Sequence, residues 1–232
     1  MHLMEIFKDK KIQEIIYANS LIDNLKNIPF LTQEELKKLM GLPWRKYSKT
    51  MGKILHNYFK NFKSTLGFDT NSHIPKEGVK GVYICLGGDA RNLFVAGSLY
   101  FNEEDWAANA DFYPDTAYDK SSFLWDVAEE LEDCGLAQNS IDNLLCILIA
   151  FSTIDILKQA KKIKEISNAS IVMGYSDGDE VILGNLKNGI FKEYLKVISD
   201  YATPSSKIEI SAPQLNRGVT YGVIYFGIIN PI

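Results

Sequence analysis

The side chains best suited to chemistry are concentrated in one acidic stretch, residues 103–133. It holds 11 Asp or Glu residues against the single Lys120, so its formal charge is −10. Carboxylates at this density can serve acid–base chemistry, hold a hard cation or complement a basic partner. Residues 1–80 differ, with 14 Lys or Arg against 8 Asp or Glu, and the net charge of −4 conceals both regions.

Aromatic residues are interleaved with these carboxylates. Trp and Tyr often anchor protein interfaces, and surrounding charges steer encounter with a partner of opposite sign. We therefore predict a partner-binding surface, anchored by Trp106 and Tyr113. The predicted contact residues are Glu103, Glu104, Asp105, Trp106, Asp111, Tyr113, Asp115, Tyr118 and Asp119. The ordinary alternative makes the aromatic residues core and the carboxylates a solvated rim. The core residues would then be Trp106, Phe112, Phe123 and Trp125.

Signatures of catalysis are weak by comparison. Glu129 and Asp133 lie one turn apart on a predicted helix and could serve acid–base chemistry or a metal. Like charges on an exposed helix face are more common, and no nucleophile or phosphate-binding loop accompanies them. Gly87-Gly88-Asp89 is interpreted as a turn. We predict binding rather than catalysis, with no catalytic residue, and keep a hydrolase-type enzyme as the alternative.

The spacing of the Cys, His and Asp residues gives little support for a metal site or for thiol chemistry. Cys85, Cys134 and Cys146 form no C-x-x-C pair and have apolar neighbours, so we expect small, reduced core residues. The histidines show no H-x-x-x-H or H-x-E spacing, and Asp177 and Asp179 lie in a predicted turn without calcium-loop spacing. We predict no metal and no cofactor. A Cys-His nucleophile stays open, because such partners meet in space rather than in sequence.

A strongly amphipathic helix is predicted within residues 43–66. Its apolar positions are Trp44, Tyr47, Met51, Ile54, Leu55, Tyr58, Phe59, Phe62 and Leu66. Its basic positions are Arg45, Lys49, Lys53, His56, Lys60 and Lys63. Clustered cations can contact phosphates, so a nucleic-acid-binding module using this helix is a further alternative. The overall negative charge argues against it, and a lysine-rich solvent face is the ordinary interpretation.

The elements that must position these residues change from helical to mixed near Val79. Helices are expected over most of residues 3–66, where Thr32 and Glu35 have capping-box spacing, and hairpins at residues 79–101 and 171–183. Further helices are expected over Phe123–Asp133, from Ser140 to about Ile166, and over Leu186–Ser199, followed by a final strand at Val219–Ile229.

Hairpins interleaved with helices predict an α+β fold, in which an antiparallel sheet built from hairpins carries packed helices and follows a helical N-terminal segment. The expected division is a helical segment, residues 1–75, and an α+β domain, residues 76–232, with one continuous domain as the alternative. The longest apolar run, Leu144–Phe151, is too short to span a bilayer and is interpreted as part of a buried helix. Without a signal-like N-terminus, we expect a cytoplasmic protein.

Two stretches carry a resemblance to a known family. The hairpin GVYICLGGDARNLFVAGSLYFNEEDWAANADFYP is followed by WDVAEELE and later by VMGYSDGDEVILGNL. Over residues 79–200 this arrangement resembles a bacterial family of small cytoplasmic proteins grouped with the immunity proteins of polymorphic-toxin and contact-dependent inhibition systems. The resemblance implies neutralisation of a cognate toxin, often a nuclease, by tight binding. The acidic residues would suit a basic nuclease, whose groove attracts polyanions.

Overall fold

A computed structural model describes residues 3–64, 78–87, 90–101, 112–114, 122–159, 163–175 and 180–198. Within them the helices are α1 (Leu3–Lys8), α2 (Lys10–Tyr17), α3 (Leu21–Asn24), α4 (Gln33–Leu39), α5 (Trp44–Lys60), α6 (Phe123–Asp133) and α7 (Gln138–Gln159). The strands are β1 (Phe62–Ser64), β2 (Gly81–Leu86), β3 (Leu93–Ser98), β4 (Phe112–Pro114), β5 (Ser170–Tyr175), β6 (Glu180–Lys187) and β7 (Ile190–Ile198).

Two of the N-terminal helices begin at residues that cap them. The Asp9 carboxylate accepts a hydrogen bond of 2.7 Å from the Lys11 N–H at the start of α2. At the start of α4 the predicted capping box is confirmed. The Glu35 N–H donates to the Thr32 hydroxyl at 3.2 Å, and the Glu35 carboxylate accepts from the Thr32 N–H at 2.7 Å. Each side chain thus satisfies a backbone donor that the helix leaves free.

Helix α5 is the predicted amphipathic helix, although it ends at Lys60 and not near residue 66. Its buried residues are Trp44, Tyr47, Met51, Leu55, Tyr58 and Phe59. The indole N–H of Trp44 donates to the Leu39 carbonyl at 2.7 Å, which satisfies the polar atom of a buried side chain. Asn61 leaves the helical conformation, and β1 begins at Phe62. The prediction of helix over residues 62–64 was therefore wrong, because a local apolar spacing does not show where pairing with β4 begins.

The strands form one sheet in the order β1-β4-β3-β2-β5-β6-β7. Both predicted hairpins are confirmed, since β2 pairs antiparallel with β3 and β5 pairs antiparallel with β6. The two hairpins meet through a parallel pairing of β2 with β5, in which Val82 lies opposite Ile171. Helices α6 and α7 lie between them in the chain and provide the long crossover that parallel strands need. The fold is α+β, with helices packed on a mainly antiparallel sheet.

Strand β7 corrects the prediction of a helix over Leu186–Ser199. Asn188 and Gly189 both have positive φ, 52° and 71°, and the register places Lys187 opposite Ile190. An Asn-Gly pair in this conformation is the favoured two-residue turn of a hairpin. Glu193 interrupts the apolar alternation of the strand because its carboxylate pairs with the Lys158 ammonium of α7 at 3.5 Å. The remaining apolar residues, Ile190, Phe191, Tyr194, Leu195 and Ile198, have the spacing of a helix, which explains the wrong prediction.

Helix α7 occupies the centre of the fold. It begins at Gln138 and ends at Gln159, within two residues of the predicted start, and 14 of its 22 residues are buried. Helices α2, α5 and α6 pack against it together with strands of the sheet, all in one hydrophobic core. Its length and mean hydropathy of 1.8 would allow it to cross a membrane, but 78% of that apolar window is already buried within the protein. That burial is typical of a core helix, and composition alone is weak evidence for a membrane span.

The sheet has two buried sides. Alternate residues of β2 show the division, because Val82 and Ile84 join the core that contains the helices, whereas Tyr83 joins a smaller cluster. That cluster also contains Ala96, Val172 and Ile182, with Cys85, Phe94 and Phe101 packed against it. The predicted final strand, Val219–Ile229, lies outside the described residues.

Truncating the central helix should destabilise the whole fold. Leu148 is fully buried in α7, and Leu148→Ala should lower the free energy of unfolding by about 2–5 kcal/mol through lost burial and a cavity. Asn139→Ala, at an exposed position of the same helix, is the matched control and should stay within about 0.5 kcal/mol of the parent. Urea denaturation measures both, and equal effects of the two changes would contradict a central role for α7.

The capping box should make part of the stability depend on pH. Hydrogen bonds from the Thr32 backbone and hydroxyl hold the pKa of Glu35 below its usual value. A lowered folded-state pKa stabilises the protein above the pKa of the unfolded chain, and this contribution disappears as pH falls through the folded-state value. Glu35→Gln should therefore destabilise near neutral pH and have less effect near about pH 3. Urea denaturation at both pH values tests this, and an effect that grows on acidification would contradict it.

Candidate partner-binding surface

The described part of the acidic stretch is mainly helix α6. Eight of the nine predicted contact residues lie outside the described residues, namely Glu103, Glu104, Asp105, Trp106, Asp111, Asp115, Tyr118 and Asp119. Tyr113 lies in β4, where its backbone pairs with Lys63 of β1. The acidic pattern continues into α6, whose surface can be described side chain by side chain.

Helix α6 has one apolar side and one acidic side. Leu124, Val127, Ala128 and Leu131 are buried at helical spacing. The acidic α6 surface comprises the exposed residues Trp125, Asp126, Glu129, Glu130, Glu132 and Asp133. Since residues three and four apart are neighbours on a helix, Trp125, Glu129 and Glu132 lie along one line of this surface.

The carboxylates of α6 are placed where the helix disfavours them. The C-terminal end of a helix carries partial negative charge, and each further anion there costs about 0.3–1 kcal/mol at low ionic strength. Glu130, Glu132 and Asp133 occupy this end, and the last turn contains no basic residue. Only Asp126 lies in the first turn, where negative charge is favourable; it accepts a hydrogen bond of 3.0 Å from the Ser122 hydroxyl. The helix therefore maintains a concentrated negative potential at a cost to its own stability.

Arg91 holds the exposed indole of this surface in place. Its guanidinium carbon lies 5.0 Å from the centre of the Trp125 ring, a cation–π distance. The same guanidinium donates to the Glu132 carboxylate at 2.6 Å and to the Gln138 side-chain oxygen at 2.8 Å. Only 11% of the Arg91 side chain is exposed, whereas Trp125 is 40% exposed. Arg91 thus links the loop of the β2–β3 hairpin to Glu132 near the end of α6 and to Gln138 at the start of α7.

Helix α5 supports α6 from the other side through Tyr47. The Tyr47 hydroxyl donates to the Glu130 carboxylate at 2.5 Å. Burial, and then the hydrogen bond and negative charge of Glu130, raise the pKa of Tyr47 above its usual value. The Tyr47 ring also meets Trp44 and Phe123 edge to face, with centroid distances of 5.6 and 6.3 Å. Glu130 is therefore fixed by a neutral donor and Glu132 by Arg91, while Glu129 and Asp133 are exposed.

Two of the cysteines, Cys85 and Cys146, do not have the environment of a nucleophile. Burial, followed by the charge of Glu180, raises the pKa of the Cys85 thiol to about 12. Burial raises the pKa of Cys146 to about 12 as well, although a contact with the Tyr175 hydroxyl opposes the shift. Nucleophilic chemistry requires the thiolate, which these surroundings disfavour. Among the residues the structure describes, no group of three or more His, Cys, Asp or Glu side chains is arranged to hold a metal ion.

The basic positions of α5 form a different surface. Arg45, Lys49, Lys53 and Lys60 are exposed, whereas His56 is half-buried. Burial, with a smaller contribution from Lys60, lowers the pKa of His56, so its neutral form is favoured. The structure thus leaves cations along α5 and carboxylates along α6.

No protein-family model, curated protein or solved structure matches the chain.

Sequence reasoning missed two contributors to this surface. Arg91 was assigned no role, and Trp125 was named in the alternative that placed the aromatic residues in the core. Trp125 is exposed and Phe123 is half-buried. A lone arginine directly after a glycine turn, in a chain with a nearby run of carboxylates, was the available signal, but its partners are 34 to 47 positions away and depend on the tertiary fold.

Neutralising the end of α6 should stabilise the protein. Asp133→Asn should raise the free energy of unfolding by about 0.3–1 kcal/mol at low ionic strength, because it removes an anion from the negative end of the helix. Asp126→Asn is the matched control at the opposite end and should destabilise, since it removes a favourable charge. Urea denaturation in low and high salt compares them, and the same sign for both changes would contradict the electrostatic explanation.

Proposed function

We propose that this chain is an immunity- or antitoxin-like protein that neutralises a cognate toxin domain by direct binding. The partner is a basic, nuclease-type domain, and the binding surface is acidic and aromatic. It comprises the predicted contact residues between Glu103 and Asp119, extended by the acidic α6 surface. The family resemblance of residues 79–200 motivates the class of partner.

The observation that carries this proposal is the placement of charge on α6. At its C-terminal end, Glu132 is paired with Arg91 and Glu130 with the Tyr47 hydroxyl, while the exposed Asp133 adds an anion where the helix disfavours one. A functional site can require residues that lower stability. A surface of one charge sign attracts an oppositely charged partner and accelerates its association. Partner binding therefore accounts for a charge pattern that folding alone does not favour.

Trp125 provides an anchor within this charged surface. Hot spots of protein interfaces are enriched in Trp, and a side chain already held in one conformation loses less entropy on binding. The contact of Trp125 with Arg91, and the ion pair of Arg91 with Glu132, give it that support. The remaining carboxylates, including Glu129 and Asp133, would steer the encounter.

The alternatives are less well supported by the described residues. A hydrolase using Cys85 or Cys146 would need a thiolate that burial disfavours. A nucleic-acid-binding module would use the exposed cations of α5 and would lose affinity steeply as salt rises, without any dependence on α6. The three classes of function require different surfaces, so variants of each surface distinguish them.

The first test is capture of the partner followed by a growth assay. The tagged protein is incubated with native cell lysate and the products of neighbouring genes, and bound proteins are eluted with increasing salt. We expect one stoichiometric basic protein that arrests growth when produced alone and is neutralised when produced together with this chain. Recovery of a partner without toxicity would contradict the proposal, and recovery of none would favour an enzyme or a small-molecule binder.

The second test assigns the binding to the proposed surface. Trp125→Ala should weaken binding of the captured domain by about 2 kcal/mol or more, roughly thirtyfold in Kd, if it is a hot spot. Charge reversal at Glu129 and Asp133, or at Glu103, Glu104 and Asp105, should slow association and reduce its dependence on ionic strength. Glu14→Lys, a change at an exposed position of α2, is the matched control. Unchanged binding after both reversals would exclude this surface.

A further inference from the structure

A cleft lies between helices α3, α5 and α7, away from the acidic α6 surface. Its volume is about 420 Å³, within the range of small-molecule sites. Trp44, Leu21 and Phe151 form an apolar floor, and each of them is at most 5% exposed. The protein already covers these three side chains almost completely, and the half-buried Ile22 is the apolar side chain that the lining still offers to a ligand.

The rim carries charges of both signs on different helices. Arg45 and Lys49, one turn apart on α5, provide two cations. Asp23 on α3 and Asp155 on α7 provide two carboxylates. Within the part of the chain that the structure describes, these four groups form no ion pair, although side chains of opposite charge surround the same cleft. The lining of this one cleft therefore carries charges of both signs.

Neutral polar groups on the rim are also available to a ligand. Ser20 occupies the N-cap position of α3, yet its side chain makes no capping hydrogen bond. The Ser48 hydroxyl donates to the Trp44 carbonyl at 3.0 Å and can still accept a hydrogen bond. Asp155 accepts from the Gln159 amide at 3.2 Å through one oxygen, which leaves its second oxygen exposed on the rim. A ligand with both donors and acceptors would find partners for each.

We propose that this cleft binds a small zwitterion with an apolar side chain, of the class of apolar α-amino acids and short peptides. The ligand carboxylate would face Arg45 and Lys49, the ammonium would face Asp23 and Asp155, and the apolar group would contact Ile22 above the floor. An anion alone would be repelled by the two carboxylates, and a cation alone would be repelled by Arg45 and Lys49. Only a ligand with both charges complements both sides of the rim.

This site is independent of the proposed toxin-binding surface. Its charged residues lie on α3, α5 and α7, whereas the toxin-binding surface is formed by the acidic stretch ending in α6. Variants of the cleft should therefore leave growth rescue intact, and variants of α6 should leave ligand binding intact. Failure of one proposal is thus distinguishable from failure of the other.

The test compares three related ligands by NMR titration of the full chain. L-phenylalanine carries both charges, N-acetyl-L-phenylalanine lacks the ammonium, and L-phenylalaninamide lacks the carboxylate. We expect saturable shifts at the amides of Asp23, Ser48 and Lys49, with a millimolar or tighter Kd for L-phenylalanine and weaker binding of both derivatives. Absence of saturable shifts, or equal binding of all three ligands, would overturn the proposal.

Charge-neutralising variants then assign each side of the rim. Asp155→Asn should weaken binding of L-phenylalanine about two- to fivefold, the effect of one exposed ion pair, without affecting the N-acetyl derivative. Lys49→Gln should weaken both of these ligands and spare the amide. Lys53→Gln, exposed on the same helix outside the cleft, is the control and should change nothing. Identical behaviour of Lys49→Gln and Lys53→Gln would exclude the proposed orientation.

Discussion

Burial of α7 on nearly all of its sides is the constraint on which the other elements depend. From Leu144 to Ile154 every residue of this helix is buried, including the polar Ser152 and Thr153. A helix that is apolar all round cannot lie on a surface, so it must be enclosed by other elements. Helices α2 and α5 pack against α7, and so do strands β6 and β7 of the sheet. The N-terminal helices and these later strands therefore share one hydrophobic core.

The same constraint determines which side of α6 faces solvent. The turn between α6 and α7 spans only residues 134–137, so α6 must pack beside α7 and bury Leu124, Val127 and Leu131. The carboxylates of α6 therefore face solvent together. Arg91, in the loop between β2 and β3, contacts Trp125 on this exposed side. The acidic surface is therefore a product of two features. The periodicity of the sequence determines which residues of α6 are buried and which are exposed. The tertiary fold brings Arg91 next to Trp125.

Predictions succeeded where the signal is local and failed where it depends on distant partners. The Thr32–Glu35 capping box, the two hairpins and the amphipathic α5 follow from spacings within one element and are confirmed. Strand β7 was predicted as a helix because Glu193, paired with Lys158 of α7, breaks the alternation that identifies a strand. The parallel pairing of β2 with β5 and the contact of Arg91 with Trp125 carry no local signature. They depend on how separate elements pack.

Segregation of charge gives the molecule an acidic surface on α6, neutralised in part by Arg91 at Glu132, and a basic surface on α5. Tyr47 joins them, because this side chain of the basic helix α5 donates its hydroxyl to Glu130 of the acidic helix α6. A neutral phenol satisfies that carboxylate without cancelling its charge, whereas a lysine at the same place would have neutralised it. The negative potential of α6 and the cations of α5 thus persist side by side in one folded unit. Like charges repel one another within each surface, and a partner of opposite sign, as proposed above, would relieve that repulsion.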